Sequence, residues 1–219
     1  MPIRVVIAMP IETIIFVTSN SHKFDEVKHL FSRFTSFKLM QLDLELPELQ
    51  SFDLEKISTF ALKSLSEITN GDIENFPVFV EDSGLFIRAL KGFPGPFSSF
   101  SYRTLGLDGI LTLMQGVIDR KANFQSSIAF KFNKTIRAFN GLVNGRIAHH
   151  ASGSGWGYDP IFIPDHPGNK TYGDLGEEKK FISHRYLATK QLIEFIKDIY
   201  KKGKIPTCEQ SNHLSKDGF

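Results

Sequence analysis

Glu81 and Asp82 stand side by side and run directly into Ser83-Gly84-Leu85. Acids at the end of a buried strand lie where α/β proteins place ligand sites, in the crevice beyond the strand. Neighbouring residues on a strand point to opposite faces, so the two acids are expected to have separate jobs. One would face a ligand cleft while the other supports it or stays solvated. Taken alone, the pair reads sooner as a strand end capped by two solvated acids; the other stretches below favour the cleft.

Two other stretches carry cations where a helix begins. In Thr18-Ser19-Asn20-Ser21-His22-Lys23, Asn20 or Ser21 would cap a helix. A strand, a small polar loop and a helix start form a ready anion site, because first-turn N–H groups are unpaired and the dipole favours negative charge. Lys23 sits where that dipole disfavours a cation, so either an anionic ligand explains it or it leans into water. No Gly-rich Walker sequence is present, so this is not a P-loop. The second stretch is Ser183-His184-Arg185, which follows Lys179-Lys180. Ser183 is placed to cap the last helix, leaving His184 and Arg185 as first-turn cations in need of partners.

A third stretch, Ser152 to Pro160, combines Gly153, Gly155 and Gly157 with Trp156, Tyr158 and Asp159. The glycines permit positive φ or close backbone approach. Trp156 and Tyr158 offer flat faces on which a base could stack, or one aromatic plugs the core.

The elements that position these residues follow from the hydrophobic pattern. Thr13–Val17 and the strand-like Phe37–Leu42 flank a helix whose apolar face is Phe24, Val27, Leu30 or Phe31, and Phe34. A second helix, capped by Asp53, would bury Ile57, Phe60, Ala61, Ser64, Leu65 and Ile68. Lys63 then lies off that face, as a surface lysine or overhanging a cleft. Pro77–Val80 reads as a buried strand ending on Glu81-Asp82 and a Ser-Gly turn. The Gly92–Pro96 segment is too turn-rich for a helix, and a helix is expected from there to Val117. Phe124, Ile128, Phe130 and Phe132 alternate along an amphipathic strand that turns at Asn133-Lys134 into a partner. A further hairpin is expected at Asn144-Gly145, with Arg146–His150 as its return strand. Antiparallel strands in mid-chain imply a mixed sheet rather than a purely parallel one.

A chain of 219 residues, 41% hydrophobic and 23% charged, suits one globular domain, residues 1–219, with a core rich in its 21 Phe. Net charge of +2 demands neither nucleic acid nor an anionic membrane as partner. The single Cys208 excludes an internal disulfide and a cysteine zinc site, and fits a reducing cytoplasm. The apolar run near Met1 is short and broken by Pro10 and Glu12, so a signal peptide is not expected, and no span reaches the ~20 apolar residues of a membrane helix. Residues 1–12 read as an N-terminal extension and 201–219 as a polar, aperiodic, disordered tail.

In chain order these stretches resemble the inosine triphosphate pyrophosphatase family. The matching residues are Thr18-x-Asn20-x-x-Lys23-x-x-Glu26, Leu46-Pro47-Glu48-Leu49-Gln50, and Glu81-Asp82-Ser83-Gly84-Leu85 with Gly92-Phe93-Pro94-Gly95. They continue in Gly155-Trp156-Gly157-Tyr158-Asp159-Pro160-Ile161-Phe162 and Ser183-His184-Arg185. The family usually has Phe where Trp156 stands, and Phe97 to Phe100 fits its pattern loosely. The resemblance implies an α/β fold, an elongated mixed β-sheet flanked by helices, with two lobes around a central nucleotide-binding cleft and pairing as a homodimer. It implies hydrolysis of ITP, dITP or XTP to monophosphate and pyrophosphate. Mg²⁺ would take Glu48 and Asp82, with Glu81 in support, and Asp82 or a carboxylate beside it would activate water; Lys63 joins this catalytic group. Thr18, Ser19, Asn20, Lys23, Lys63 and Ser83 would hold the triphosphate. Trp156, with Gly157 and Tyr158, would carry the base, and Asp159, Lys179, Ser183, His184 and Arg185 would meet its polar edge.

Overall fold

A computed structural model describes residues 13–202. The N-terminal extension, with its apolar run, and the tail beyond Lys202 lie outside the described residues. Thr13–Val17 forms β1, and all five of its residues are buried. It lies between β2 (Lys38–Leu42) and β3 (Val78–Ile87), parallel to both, which explains why the run is continuously apolar. The two-residue β4 (Pro94–Gly95) pairs with the far part of β3. Beyond β3 the sheet turns antiparallel through β5 (Lys121–Phe132), β6 (Thr135–Ile147) and the short β7 (Phe162–Pro164). The seven strands form one mixed sheet in the order β2-β1-β3-β5-β6-β7, with β4 off that path.

Helices cover the sheet: α1 (Ser21–Phe34), α2 (Leu54–Ile68), α3 (Ser98–Leu113), the single-turn α4 (Tyr172–Leu175) and α5 (His184–Lys201). Ile14, Phe16, Phe79 and Phe130 pack with Val27 and Phe31 of α1 and Leu192 and Ile196 of α5. On the other face Ile15, Val17, Val80 and Ala129 pack with Leu62 and Leu65 of α2. A third core joins Leu85 and Ile87 to Phe124, Ile147, Phe162, and Ile110 and Met114 around α3. The alternation along β3 therefore sends Glu81 to the side of Phe79, toward α1 and α5. Asp82 goes to the side of Val80, toward α2.

Three local expectations need correction. β3 does not end at Glu81-Asp82 in a turn. It runs on through Ser83-Gly84 to Ile87, paired residue by residue with β5. Gly84 is there for space: a Cβ would come 2.1 Å from the Gly95 carbonyl oxygen of β4. The hairpin expected at Asn144-Gly145 is also absent, because β6 continues through both residues, and a Cβ on Gly145 would come 2.2 Å from the Ile163 carbonyl of β7. On α2 the buried face is Leu54, Ile57, Ser58, Leu62 and Leu65, and Phe60 is 41% exposed. Gly84→Ala is expected to destabilise the fold by roughly 1–3 kcal/mol through overpacking, read as a lower urea midpoint at unchanged slope. No helix of the described residues is long and apolar enough to cross a membrane.

Candidate active site

The site begins at the start of α1. Thr18 Oγ1 accepts the Asn20 amide (3.1 Å), and Asn20 Oδ1 caps the helix by accepting the Lys23 amide (3.1 Å). Thr18 and Asn20 are half-buried and Ser19 is exposed. The amides of Ser21 and His22, which a helix cannot pair internally, belong to the same end. Lys23 points back to β3, with Nζ 2.9 Å from Glu81 Oε2 and donating to the Glu81 carbonyl (3.2 Å). A protein acid therefore already accounts for this cation at a helix start.

Glu26, one turn on, is the centre of the arrangement. Its carboxylate accepts from Lys179 Nζ (2.8 Å), Arg185 Nη1 (2.5 Å) and the Trp156 indole Nε1 (3.1 Å). Glu26 belongs to the first matching stretch, yet sequence reasoning gave it no role. The available signal was its spacing, since residues three apart on a helix share a face and Lys23 was already singled out.

Arg185, 1% exposed, also donates through Nη2 to Ser83 Oγ (3.0 Å), and its Nε lies 3.3 Å from Glu81 Oε1 as an ion pair rather than a hydrogen bond. Ser126 Oγ donates to Glu81 Oε1 (2.6 Å). Lys179 bridges Glu26 to Asp159 Oδ2 (2.7 Å). Burial works against ionising Glu81, but Arg185 and Lys23 overcome it and hold the carboxyl down to about 2. Glu26 is likewise kept well below the usual range, because Arg185 and Lys179 outweigh its burial. For Asp159, burial prevails over Lys179 and moves the carboxyl up.

Asp82 is different. Burial pushes its carboxyl up to about 6; Lys23 opposes this, while the neighbouring charges of Glu81 and Glu48 reinforce it. Among the described residues its Oδ1 accepts only the Ser83 amide, at 2.9 Å. Glu48 is exposed on the loop between β2 and α2, near enough to be among the charges acting on Asp82. Counting charges shows the consequence. Lys23, Lys179 and Arg185 are matched by Glu81, Glu26 and Asp159, which leaves Asp82 and Glu48 as surplus negative charge. No group of three or more His, Cys, Asp or Glu able to hold a metal occurs among the described residues. Two carboxylates nevertheless fit Mg²⁺ carried in on phosphates, which takes one or two protein carboxylates and fills the rest with phosphate oxygens and water.

Other expected residues are placed differently. Tyr158 is not a stacking face: it is 3% exposed, lies in the core with Leu85 and Phe124, and donates to the Ser98 carbonyl (3.3 Å). His184 is not a first-turn cation. Burial, reinforced by Arg185 and Lys179, holds it neutral, and its ring stacks on Phe124 at 4.5 Å. Ser183 is the expected cap of α5, its Oγ accepting the Tyr186 amide (3.1 Å). Lys63 is exposed and has no ion pair or hydrogen bond among the described residues. Gly157 adopts φ 62°, and Gly155 admits the Asp159 side chain, which a Cβ would meet at 2.7 Å. Trp156 is half-buried, with Lys179 Nζ and Arg185 Cζ each 5.3 Å from its ring centroid.

A family model, the Ham1 family, matches residues 14–195, the span that carries every one of these groups. The chain belongs to the Ham1 family. Among Ham1 relatives, a dITP/XTP pyrophosphatase of Korarchaeum cryptofilum is 44% identical over 182 residues, covering 83% of this chain and 95% of that protein. One from Pyrococcus horikoshii is 44% identical over 186 residues, covering 84% and 96%. Among solved structures, a HAM1 protein of Coxiella burnetii superposes with a TM-score of 0.70 at 26% identity, covering 87% of this chain and all of that one. The Staphylococcus aureus Ham1 protein gives 0.69 at 27% identity, covering 85% and 98%.

Proposed function

We infer that this protein hydrolyses non-standard purine nucleoside triphosphates, dITP, XTP and ITP, to the monophosphate and pyrophosphate. The observation that carries the reading is the charge imbalance: surplus acids at Asp82 and Glu48 adjoin Lys23 and the N-terminus of α1. The named activity of the relatives, dITP/XTP pyrophosphatase, supports it. The Thr18–Asn20 loop, the first amides of α1 and Lys23 would hold the triphosphate, with Ser83 at the strand beside it. Lys63 would have to swing in from the surface to join them. Glu48 and Asp82 would hold Mg²⁺, which when bound neutralises charge gathering on the phosphate oxygens. Glu81 is committed to Lys23 and Arg185, whereas Asp82 accepts only a backbone amide from the described residues, so Asp82 is the carboxylate with an oxygen left to orient the water and take its proton. A water would lose its proton to Asp82 while its oxygen bonds to the α-phosphorus. The bond from that phosphorus to the bridging oxygen breaks, and pyrophosphate leaves.

The base would lie at Trp156, with Lys179 and Arg185, each 5.3 Å from the indole centroid, toward its polar edge and Asp159 behind Lys179. Hypoxanthine and xanthine present an acceptor oxygen at C6 where adenine presents a donor. Cationic donors there favour the first two, because a polar site facing the wrong partner loses far more than a misfitting apolar one. A homodimer completes the reading; Phe52 and Phe97, exposed rings meeting edge to face at 6.3 Å, are a face that a second copy could cover. The single cysteine suits a cytoplasmic setting.

Pyrophosphate release from ITP, XTP, dITP, GTP and ATP, with and without Mg²⁺, tests the function. Cleavage of the inosine and xanthosine nucleotides is expected only with the ion, and ATP should lag by on the order of 100-fold or more. Equal use of ATP would remove the base-reading role, and no release from any of the five would remove the activity.

A further inference from the structure

The indole that would carry the base is already covered. His22, exposed on the first turn of α1, stacks on Trp156 with ring centroids 5.4 Å apart and planes within 10°. His22 lies on the same turn as the cap from Asn20 and beside Lys23. A ligand reaching from the start of α1 to the indole face that His22 covers would therefore meet this ring. The indole is pinned from its edge, because Nε1 donates to Glu26. The imidazole forms no hydrogen bond among the described residues, so one side-chain rotation opens the pair without unmaking anything else.

We propose that His22 and Trp156 form a two-leaved clamp into which the purine slides, His22 being a binding residue that closes over the face of the base opposite the indole. The inference rests on the nucleotide reading above and adds its second wall. Two stacking distances of about 3.5 Å each require the rings to part to about 7 Å. Trp156 is the fixed leaf and His22 the moving one. Stacking is tolerant of base identity, since every base has a π-face, so this clamp supplies affinity and the polar edge supplies choice.

Steady-state hydrolysis of ITP and XTP with Mg²⁺ tests the clamp in the full chain. His22→Ala should raise KM for both nucleotides by roughly five- to tenfold, the low end of a lost stacking contact, with kcat near the parent value. His22→Phe should restore KM. Both variants should melt with the parent, since the ring is exposed. Trp156 is the sole tryptophan, so its emission reports the clamp directly. Titration with IMP should change that emission saturably, with the midpoint weakened in His22→Ala by the same factor. An unchanged KM in His22→Ala would make the imidazole a bystander, and a lowered KM would make it a plug that substrate expels; either overturns the clamp. If the parent cleaves neither ITP nor XTP, the nucleotide reading fails, and an IMP titration without response then sinks the clamp as well.

Discussion

Asp82→Asn is expected to reduce ITP turnover by roughly a thousandfold, the scale of a lost general base, while nucleotide binding persists. The same substitution should stabilise the metal-free protein. The Asp82 carboxyl is raised from its ordinary 3.8 to about 6 by burial and by the charges of Glu81 and Glu48, against the pull of Lys23. Ionising it therefore costs more in the folded than in the unfolded chain. Below pH 4 it is neutral in both states and no penalty exists. The penalty grows as pH rises from 4 to 6 and is complete above that. Its upper bound is about 3 kcal/mol from a shift of that size, less what solvent screens around a half-buried group. Thermal melts with EDTA should place the variant a few degrees above the parent at pH 8 and level with it at pH 4. Full turnover by the variant would remove Asp82 from the reaction, and coincident melts at pH 8 would contradict the crowding of acids.

Glu26→Ala should be strongly destabilising. Glu26 is the shared counterion of Lys179 and Arg185, and those side chains are 7% and 1% exposed. Removing one partner of a buried ion pair typically costs about 3–5 kcal/mol, because the remaining charge stays desolvated. Lys179 keeps Asp159 and Arg185 keeps Glu81, which limits the loss. A fall in melting temperature on the order of 10 °C is expected for a chain of this length. The sign with pH is opposite to that of Asp82. Glu26 is held well below its ordinary 4.5, so its contribution is complete above that value and disappears as acid protonates it. The gap between parent and Glu26→Ala should be widest at pH 7 and shrink toward pH 2. A variant that melts with the parent at pH 7 would show that Glu26 does not hold the two cations. The indole loses its edge partner at the same time, so base discrimination should weaken along with stability.

What could be read from the sequence was whatever depends on local pattern. The apolar run Thr13–Val17, a cap at Asn20 or Ser21 (it is Asn20), the caps Asp53 and Ser183, and the turn at Asn133-Lys134 follow from residue type and spacing, and the structure has all of them. Glycines misled because their reason lies in another strand. Gly84 and Gly145 read as turns, yet each is an extended residue over which a neighbouring backbone passes. Charge balance was equally hidden. Lys23 read as facing either a ligand or water and Arg185 as lacking a partner, and only the fold shows that Glu81 and Glu26, far away in sequence, already meet them. His184 next to Arg185 looked alike in sequence, but burial against Phe124 makes one neutral while ion pairs keep the other charged. Trp156 was legible as a flat face, whereas its stacking on His22 was not.

The central claim is that the acids beside β3 direct a water onto the α-phosphorus of a triphosphate laid along the start of α1. Hydrolysis of ITP in ¹⁸O-labelled water, with the products resolved by phosphorus NMR, tests it most directly. The label should appear in IMP, with unlabelled pyrophosphate beside it. Label in pyrophosphate or in inorganic phosphate would mean that the attack falls elsewhere on the chain of phosphates, and the arrangement drawn around Asp82 would be wrong.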